Sequence, residues 1–355
     1  MSNIEKTLID LNKKFGKGSV IVLGDAQPIT TNLLSTGSLL IDSILGGGIG
    51  YGRITEIYGV ESSGKSTLCL HLAAECQKGG GTVAYIDVEH ALDPVYAKHL
   101  GVDISKLVFT QPNSGEQALE IAEALIKSGE INLIVVDSVA ALVPQAELDG
   151  EMSDVNIGLL ARLMSKCMRK LTGALNDKNC AMVFINQIRE KVSTGFSTGP
   201  SETTTGGRAL KFYASQRIEL RKTTAIKSGD KVIGNNVKVK IVKNKIAPPM
   251  KTCEVPLIFG EGFSSSDEVI DLGIDCDLIQ KSGGWYTAHD GQRFQGKDAV
   301  KTYYKNNQDK EEELREKVKQ KLFNSNPFEE EPTDLSDEEI AKIIVDEETG
   351  EVKGY

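Results

Sequence analysis

Residues 59–66 read GVESSGKS: two glycines five positions apart, then at once Lys65 and Ser66. Few short patterns restrict a chain so strongly, because this one demands a particular backbone. Residues 54–58 (ITEIY) read as a short strand before it, and residues 67–77 as a helix after it, with apolar Leu68, Leu70, Leu72 and Ala73. A strand, a glycine-rich turn and a helix start curl backbone N–H groups around an anion, with no Cβ in the way at Gly59 and Gly64. The helix N-terminus adds partial positive charge. In that setting Lys65 reaches the β- and γ-phosphates of ATP and the Ser66 hydroxyl holds Mg²⁺. The expected nucleotide-binding residues are Gly59, Glu61, Ser62, Ser63, Gly64, Lys65, Ser66 and Thr67. A plain Gly-Ser turn would not need both flanking elements.

From residue 33 to 258 strand-like and helix-like stretches alternate. Residues 82–87 (TVAYID), 131–137 (INLIVVD) and 181–187 (AMVFINQ) are apolar runs, and residues 116–127 and 159–174 read as helices. Continuous apolar strands separated by helices predict an α/β fold, a largely parallel twisted sheet flanked by helices. These runs finish in polar residues at the carboxyl edge, where open α/β sheets place ligands. Asp137 fits the second Mg²⁺-holding element of phosphate-loop NTPases, although an acid at a strand end also serves to cap a turn. Glu89, just past its strand, is placed to accept a hydrogen bond from a water in line with the γ-phosphate. Gln187 reaches the γ-phosphate through its amide and directly precedes a long loop, so the nucleotide state has a route into that loop.

Two segments fall outside this alternation, residues 144–158 and 188–207, and a loop near twenty residues long is usually functional or disordered. At the start, Ile4, Leu8, Leu11 and Phe15 mark an amphipathic helix over residues 4–15, with a strand expected at 19–23. Such a short helix is marginal alone and must pack on its own body or on another copy. The expected organisation is an oligomerisation arm over 1–32, an ATPase core over 33–260, a small α+β domain over 261–325 and an acidic disordered tail over 326–355.

Charge and cysteine usage set the context. The net charge of −9 is entirely in the tail: residues 326–355 carry 11 acids against Lys342 and Lys353, which leaves 39 charges of each sign in residues 1–325. A neutral body with an acidic tail lets the tail screen basic surface from a polyanion, or simply aid solubility. The six cysteines form no C-x-x-C, and the four histidines no metal spacing. The start lacks a signal-peptide run and no 18-residue apolar stretch is present, so a cytoplasmic protein without a membrane partner is expected.

Several runs, ESSGKST at 61–67, IDVEHALDP at 86–94, VVDSVAAL at 135–142, FINQIR at 184–189, ETTTGGRALKFY at 202–213 and VKNKIA at 242–247, closely resemble the bacterial RecA recombinase family. The similarity extends from the N-terminal helix to about residue 325. It implies an ATP-dependent recombinase that forms a helical filament on single-stranded DNA, pairs it with homologous duplex DNA and exchanges strands in DNA repair. It further implies a DNA-dependent ATPase that promotes autocleavage of the SOS repressor. Carried over residue by residue, Asp93 and Tyr96 resemble the adenine contacts and Glu89 the catalytic carboxylate. Lys243 and Lys245 resemble lysines that reach the γ-phosphate of the neighbouring subunit, and Lys211, Phe212 and Arg217 the subunit interface. Residues 237–251 hold five lysines and no acid, so two cations on a neighbour can act as an arginine finger does, or can merely protect a strand edge.

The two loops are similar to the family's DNA-binding loops. Gly206, Gly207 and Arg208 precede a helix start and suit a phosphate, while Arg162, Ser165 and Arg169 share one helix face. Ile157 and Val192 correspond to apolar inserters and Phe196 to a stacking residue. The second loop is about two residues longer than the family pattern, and Val60 stands where proline is common. Lys281, Arg293, Lys297, Lys301 and Lys305 resemble a duplex-capturing surface or a solvated face. A ring-shaped helicase or transport motor, and a non-catalytic polymer, are the competing readings. The first usually supplies an arginine finger where this chain has lysines; Glu89 argues against the second.

Overall fold

The computed structural model describes residues 2–16, 19–22, 32–151, 158–176, 178–190, 202–263 and 265–323, and the backbone of 344–345 and 352–353. The chain divides into two compact units, Met1–Asn32 and Leu33–Tyr355. In the first, α1 (Asn3–Phe15) is held at its start by a reciprocal capping box between Ser2 and Glu5. None of its residues is buried, and Ile4 and Phe15 are more than 60% exposed. The strand expected at 19–23 is not seen: residues 19–22 pair with no strand, and Leu23 lies outside the described residues. A strand needs a partner for its backbone groups, which an apolar run cannot supply alone.

The second unit opens with β1 (Leu33–Leu34), α2 (Leu39–Leu45) and β2 (Ile49–Gly50), then β3 (Ile54–Gly59), α3 (Lys65–Lys78), β4 (Val83–Asp87), α4 (Pro94–His99), β5 (Val108–Thr110), α5 (Gly115–Ser128) and β6 (Leu133–Asp137). It continues through α6 (Gln145–Leu148), α7 (Leu159–Leu175), β7 (Ala181–Glu190), β8 (Glu202–Thr204), α8 (Ala209–Tyr213), β9 (Gln216–Ser228), β10 (Lys231–Asn244), β11 (Thr252–Ile258) and β12 (Gly262–Phe263). The ten-stranded sheet runs β12-β11-β10-β9-β3-β7-β6-β4-β5, with β8 paired to β7. From β9 to β5 the neighbours are parallel; from β9 to β12 they are antiparallel.

Because side chains alternate along a strand, the apolar runs feed two cores at once. Val83, Tyr85, Val135, Val183 and Ile185 pack with Leu68 and Leu72 of α3 on one face. Ala84, Ile86, Ile134, Val136, Met182 and Phe184 pack with α5 and α7 on the other. Helix ends follow local rules: Ser114 caps α5 by accepting from the Gln117 N–H, and Gly129 closes it in the left-handed region.

After β12 come α9 (Ser265–Asp275), the three-stranded antiparallel sheet β13 (Gln280–Ser282), β14 (Trp285–Thr287) and β15 (Arg293–Gln295), and α10 (Lys297–Asn306) and α11 (Gln308–Phe323). Their core, built on Val269, Ile270, Tyr304, Leu314 and Val318, also takes in Leu39 of α2. Most of residues 326–355 lies outside the described residues; within it β16 (Ile344–Val345) and β17 (Val352–Lys353) pair antiparallel.

Candidate active site

At the end of β3 the chain can turn only as glycine. A Cβ at Gly59 would come within 2.2 Å of the Leu220 carbonyl oxygen and 2.8 Å of Ser63 Oγ. Gly64, the residue before α3, has φ +91° and presses against Leu257 and Phe263. Ser62 is also left-handed at φ +53°, a curl of the kind that gathers N–H groups for an anion. Lys65 is buried, donates to the Val60 carbonyl at 2.7 Å, and has its pKa lowered by burial, against the pull of Asp137 and Glu89 nearby. Ser63 Oγ is buried with no partner. A buried cation and an orphaned hydroxyl in one loop are a cradle for phosphate.

The neighbouring strands bring acids to the same edge. Asp87 and Asp137 lie in register on β4 and β6. Asp137 Oδ2 accepts from Ser66 Oγ at 2.9 Å and from the Tyr85 hydroxyl at 2.7 Å. Burial pushes the Asp137 carboxyl above its usual range, while those two donors pull it down. Glu89 accepts from Ser138 Oγ and, at 3.0 Å, from Gln187 Nε2, whose own carbonyl accepts from Arg189 at 3.2 Å. Asp87 receives the N–H groups of Ala91 and Leu92 and the Gln111 amide, and so fixes the turn that carries Glu89. Lys65, Ser66, Glu89, Asp137 and Gln187, expected from four separate stretches, thus meet at one edge. Among the described residues no three His, Cys, Asp or Glu side chains gather as a metal cluster. Ser66 and Asp137 do offer the hard oxygen ligands that Mg²⁺ takes alongside phosphate and water.

Asp93 and Tyr96 flank this edge. Asp93 caps α4 by accepting from the Val95 N–H at 2.8 Å, and the Tyr96 hydroxyl meets Thr67 Oγ1 at 3.2 Å. With Val95, His99, Phe259, Gly260 and Glu261 they line an open cleft of about 440 Å³. Phe259, 57% exposed, was not foreseen; its signal was an apolar residue before Gly260 in a turn. Tyr85 and Ser138 were also missed, because neither type is diagnostic until the strands are laid side by side.

A second network lies farther back on the same strands. Glu56, fully buried on β3, accepts from Arg217 Nε at 2.5 Å and from Asn186 Nδ2 at 2.9 Å. The Arg217 guanidinium lies 4.6 Å from the Tyr58 ring centre. Asn186 also donates to the Thr205 carbonyl at 3.0 Å and accepts from the Gln187 N–H. Gln187 is therefore wired through one amide to the end of the second loop. Of the expected interface residues, Arg217 is half-buried within its own chain, Lys211 Nζ donates to Thr203, and Phe212 stands 71% exposed. Lys243 pairs with Arg217, and Arg217 with Glu56, so Lys243 and Lys245 sit at the edge of the sheet opposite the phosphate loop. Lys243 Nζ donates to the carbonyls of Lys211 and Phe212, both at 2.9 Å.

Arg162, Ser165 and Arg169 are exposed together on α7, whose opposite face buries Leu163, Met164, Met168 and Leu171. Gly206 and Gly207 have φ +83° and +79°, and a Cβ on them would strike Val139 and Ala161. The loop end is thereby docked against the residues after Asp137 and against α7, with Arg208 exposed beside it. Ile157, Val192 and Phe196 lie outside the described residues. In the C-terminal part, Lys297 and Lys301 are paired with Asp271 and Asp267, whereas Arg293 lies over the exposed Trp285 ring at 4.8 Å.

Comparison with known proteins agrees with this geometry. The RecA N-terminal domain model matches residues 2–264, and the RecA C-terminal domain model residues 267–323. The chain is 52% identical to Protein RecA of Clostridioides difficile (strain 630) over 345 residues, 97% of each chain. It is 53% identical to Protein RecA of Clostridium novyi (strain NT) over 90% of this chain and 91% of the relative. With Protein RecA of Staphylococcus carnosus (strain TM300) it shares 52% over 90% of each chain. A phosphate cradle, an acid pair at the sheet edge and two domain models spanning nearly the whole described body agree: the chain belongs to the RecA family, the DNA-dependent ATPases of homologous recombination.

Proposed function

We propose that the carboxyl edge of the sheet hydrolyses ATP, with Glu89 as the residue that aligns the attacking water. The observation that carries this is the double hold on its carboxylate, by Ser138 and by Gln187, beside the Ser66–Asp137 pair. A carboxylate fixed from two sides can accept from water without first being ordered. The phosphate loop, with Lys65, takes the phosphates, and Thr67, Asp93 and Tyr96 take the base and its approach. Mg²⁺ held by Ser66 and Asp137 would neutralise charge that develops on the phosphate oxygens. Gln187 senses the γ-phosphate and passes its presence through Asn186 and Thr205 to the second loop.

Lys243 and Lys245 complete the site of a neighbouring copy, since they stand at the wrong edge to reach their own. The single strand lies along Arg162, Ser165, Arg169, Gly206, Gly207 and Arg208, with Ile157, Val192 and Phe196 as inserting and stacking groups. The chain acts in the cytoplasm as a helical filament on single-stranded DNA and promotes cleavage of the SOS repressor. Glu89→Gln tests the centre of this reading. Turnover should fall by about 100-fold or more, while electron microscopy with ATP and single-stranded DNA still finds filaments. Full ATPase activity in that variant would sink the assignment.

A further inference from the structure

We propose that the Tyr85 hydroxyl is a positioning group for Asp137, one that commits a single carboxylate oxygen to the protein and leaves the other for a cation. The inference rests on the Ser66–Asp137 reading above and extends it to a residue that touches neither phosphate nor metal. Tyr85 sits in the middle of β4, between Phe109 of β5 and Val135 of β6 in register, and is 1% exposed. Its hydroxyl donates to Asp137 Oδ2 at 2.7 Å, and Ser66 Oγ donates to the same oxygen at 2.9 Å. No described residue donates to Oδ1. The terminal torsion of an aspartate is broad and roughly two-fold, so the carboxylate plane is not set by its rotamer. When the Ser66 oxygen turns its lone pairs to a cation, its proton still needs Oδ2, and the buried phenol is the second donor that keeps that oxygen from swinging away. A phenylalanine would fill the same space and lack this anchor.

The test compares wild type with Tyr85→Phe, reading Mn²⁺ binding to the ADP complex by electron paramagnetic resonance. Affinity for Mn²⁺ should weaken about tenfold, the usual effect of removing a partner of a metal ligand. ADP affinity without metal should stay put, the apo melting temperature should fall only by a few degrees because Ser66 still donates to Oδ2, and turnover should recover at high Mg²⁺. Unchanged Mn²⁺ affinity in folded Tyr85→Phe overturns the proposal. Asp137→Asn separates the two claims: if it binds Mn²⁺ as wild type does, the cation reading itself fails. If it loses Mn²⁺ while Tyr85→Phe does not, only the tyrosine's role fails. Should Tyr85→Phe not fold, 3-fluorotyrosine placed at position 85 keeps the hydroxyl. Its fluorine resonance should move when Mg²⁺ is added to the ADP complex, and a still resonance overturns the proposal.

Discussion

The two halves of the large sheet are built differently and are suited to different work. Its parallel half, β5-β4-β6-β7-β3, is buried along nearly all of β3, β4 and β6 and gathers Gly59, Asp87, Asp137 and Gln187 at one edge. The antiparallel half carries long strands that run into solvent: β9 is exposed from Thr223 to Ala225, and β10 shows Lys231, Val232 and Lys238. Parallel strands all end on the same side, so their polar termini must converge. Antiparallel strands end on alternate sides, and β10 therefore delivers Lys243, with Lys245 just past the strand's end, to the far edge. Chemistry that needs both edges needs two copies of the chain.

The sharpest way to break that division is a mixing experiment. Glu89→Gln and Lys243→Ala should each lose nearly all DNA-dependent ATPase activity alone. Mixed in equal amounts, they should recover roughly a quarter of wild-type activity, the share of head-to-tail contacts pairing an intact Glu89 with an intact Lys243. If both residues serve one site within one chain, the mixture stays dead, and the two-edge division fails with it.

A smaller effect concerns the seam between the halves. Arg217, the second residue of β9, reaches across to Glu56 of β3, a pair with almost no solvent on the carboxylate side. Removing one partner of such a pair strands a buried charge and costs about 3 kcal/mol or more. Arg217→Met should therefore lower the urea midpoint of the chain measured without DNA or nucleotide, and Glu56→Gln added to it should restore part of the loss. A variant that unfolds like wild type yet fails to assemble would move Arg217 from the seam to a contact between copies.

How much of this could be read before the strands were placed follows from the same division. The phosphate loop was legible because its backbone need is written as glycines at 59 and 64. Asp137 and Gln187 were legible because each closes an apolar run. The partners that make them work were not: Tyr85 reaches Asp137, Ser138 reaches Glu89 and Asn186 reaches Glu56 only once the order β3-β7-β6-β4 is known, and strand order is not a local property. Lys243 was named through family resemblance alone, since alternating Lys and Val also describes an ordinary sheet edge. Residues 19–22 show the converse, an apolar run that reads as a strand but pairs with no strand among the described residues, its Val20 backbone meeting only the Asn12 side chain.

The mildest prediction lies outside the catalytic half and asks whether its treatment of acids is special. Glu268 of α9 is buried against α2, accepts from Ser38 Oγ at 2.8 Å and leaves its second oxygen without a partner. Burial raises its pKa to about 7 from 4.5; hydrogen bonds from Ser38 and the Leu40 N–H, with Arg315 nearby, oppose the rise, and Asp42 adds to it. Asp42, itself raised by burial to about 6, reinforces the trend. Between pH 4.5 and 7 the folded state holds more protons than the unfolded one, so stability falls as pH rises through that window and stays low above it. Glu268→Gln keeps an acceptor for Ser38 and removes the charge. It should raise stability on the order of 1 kcal/mol at alkaline pH, do almost nothing near pH 4, and flatten the pH profile of the urea midpoint. Asp137→Asn shares the first consequence, because Asp137 too is raised by burial, and on the proposed reading it should also lose cation binding. Glu268→Gln should leave that untouched, and a fall in ATP turnover there would mean that the acids outside the sheet edge are tied to its chemistry after all.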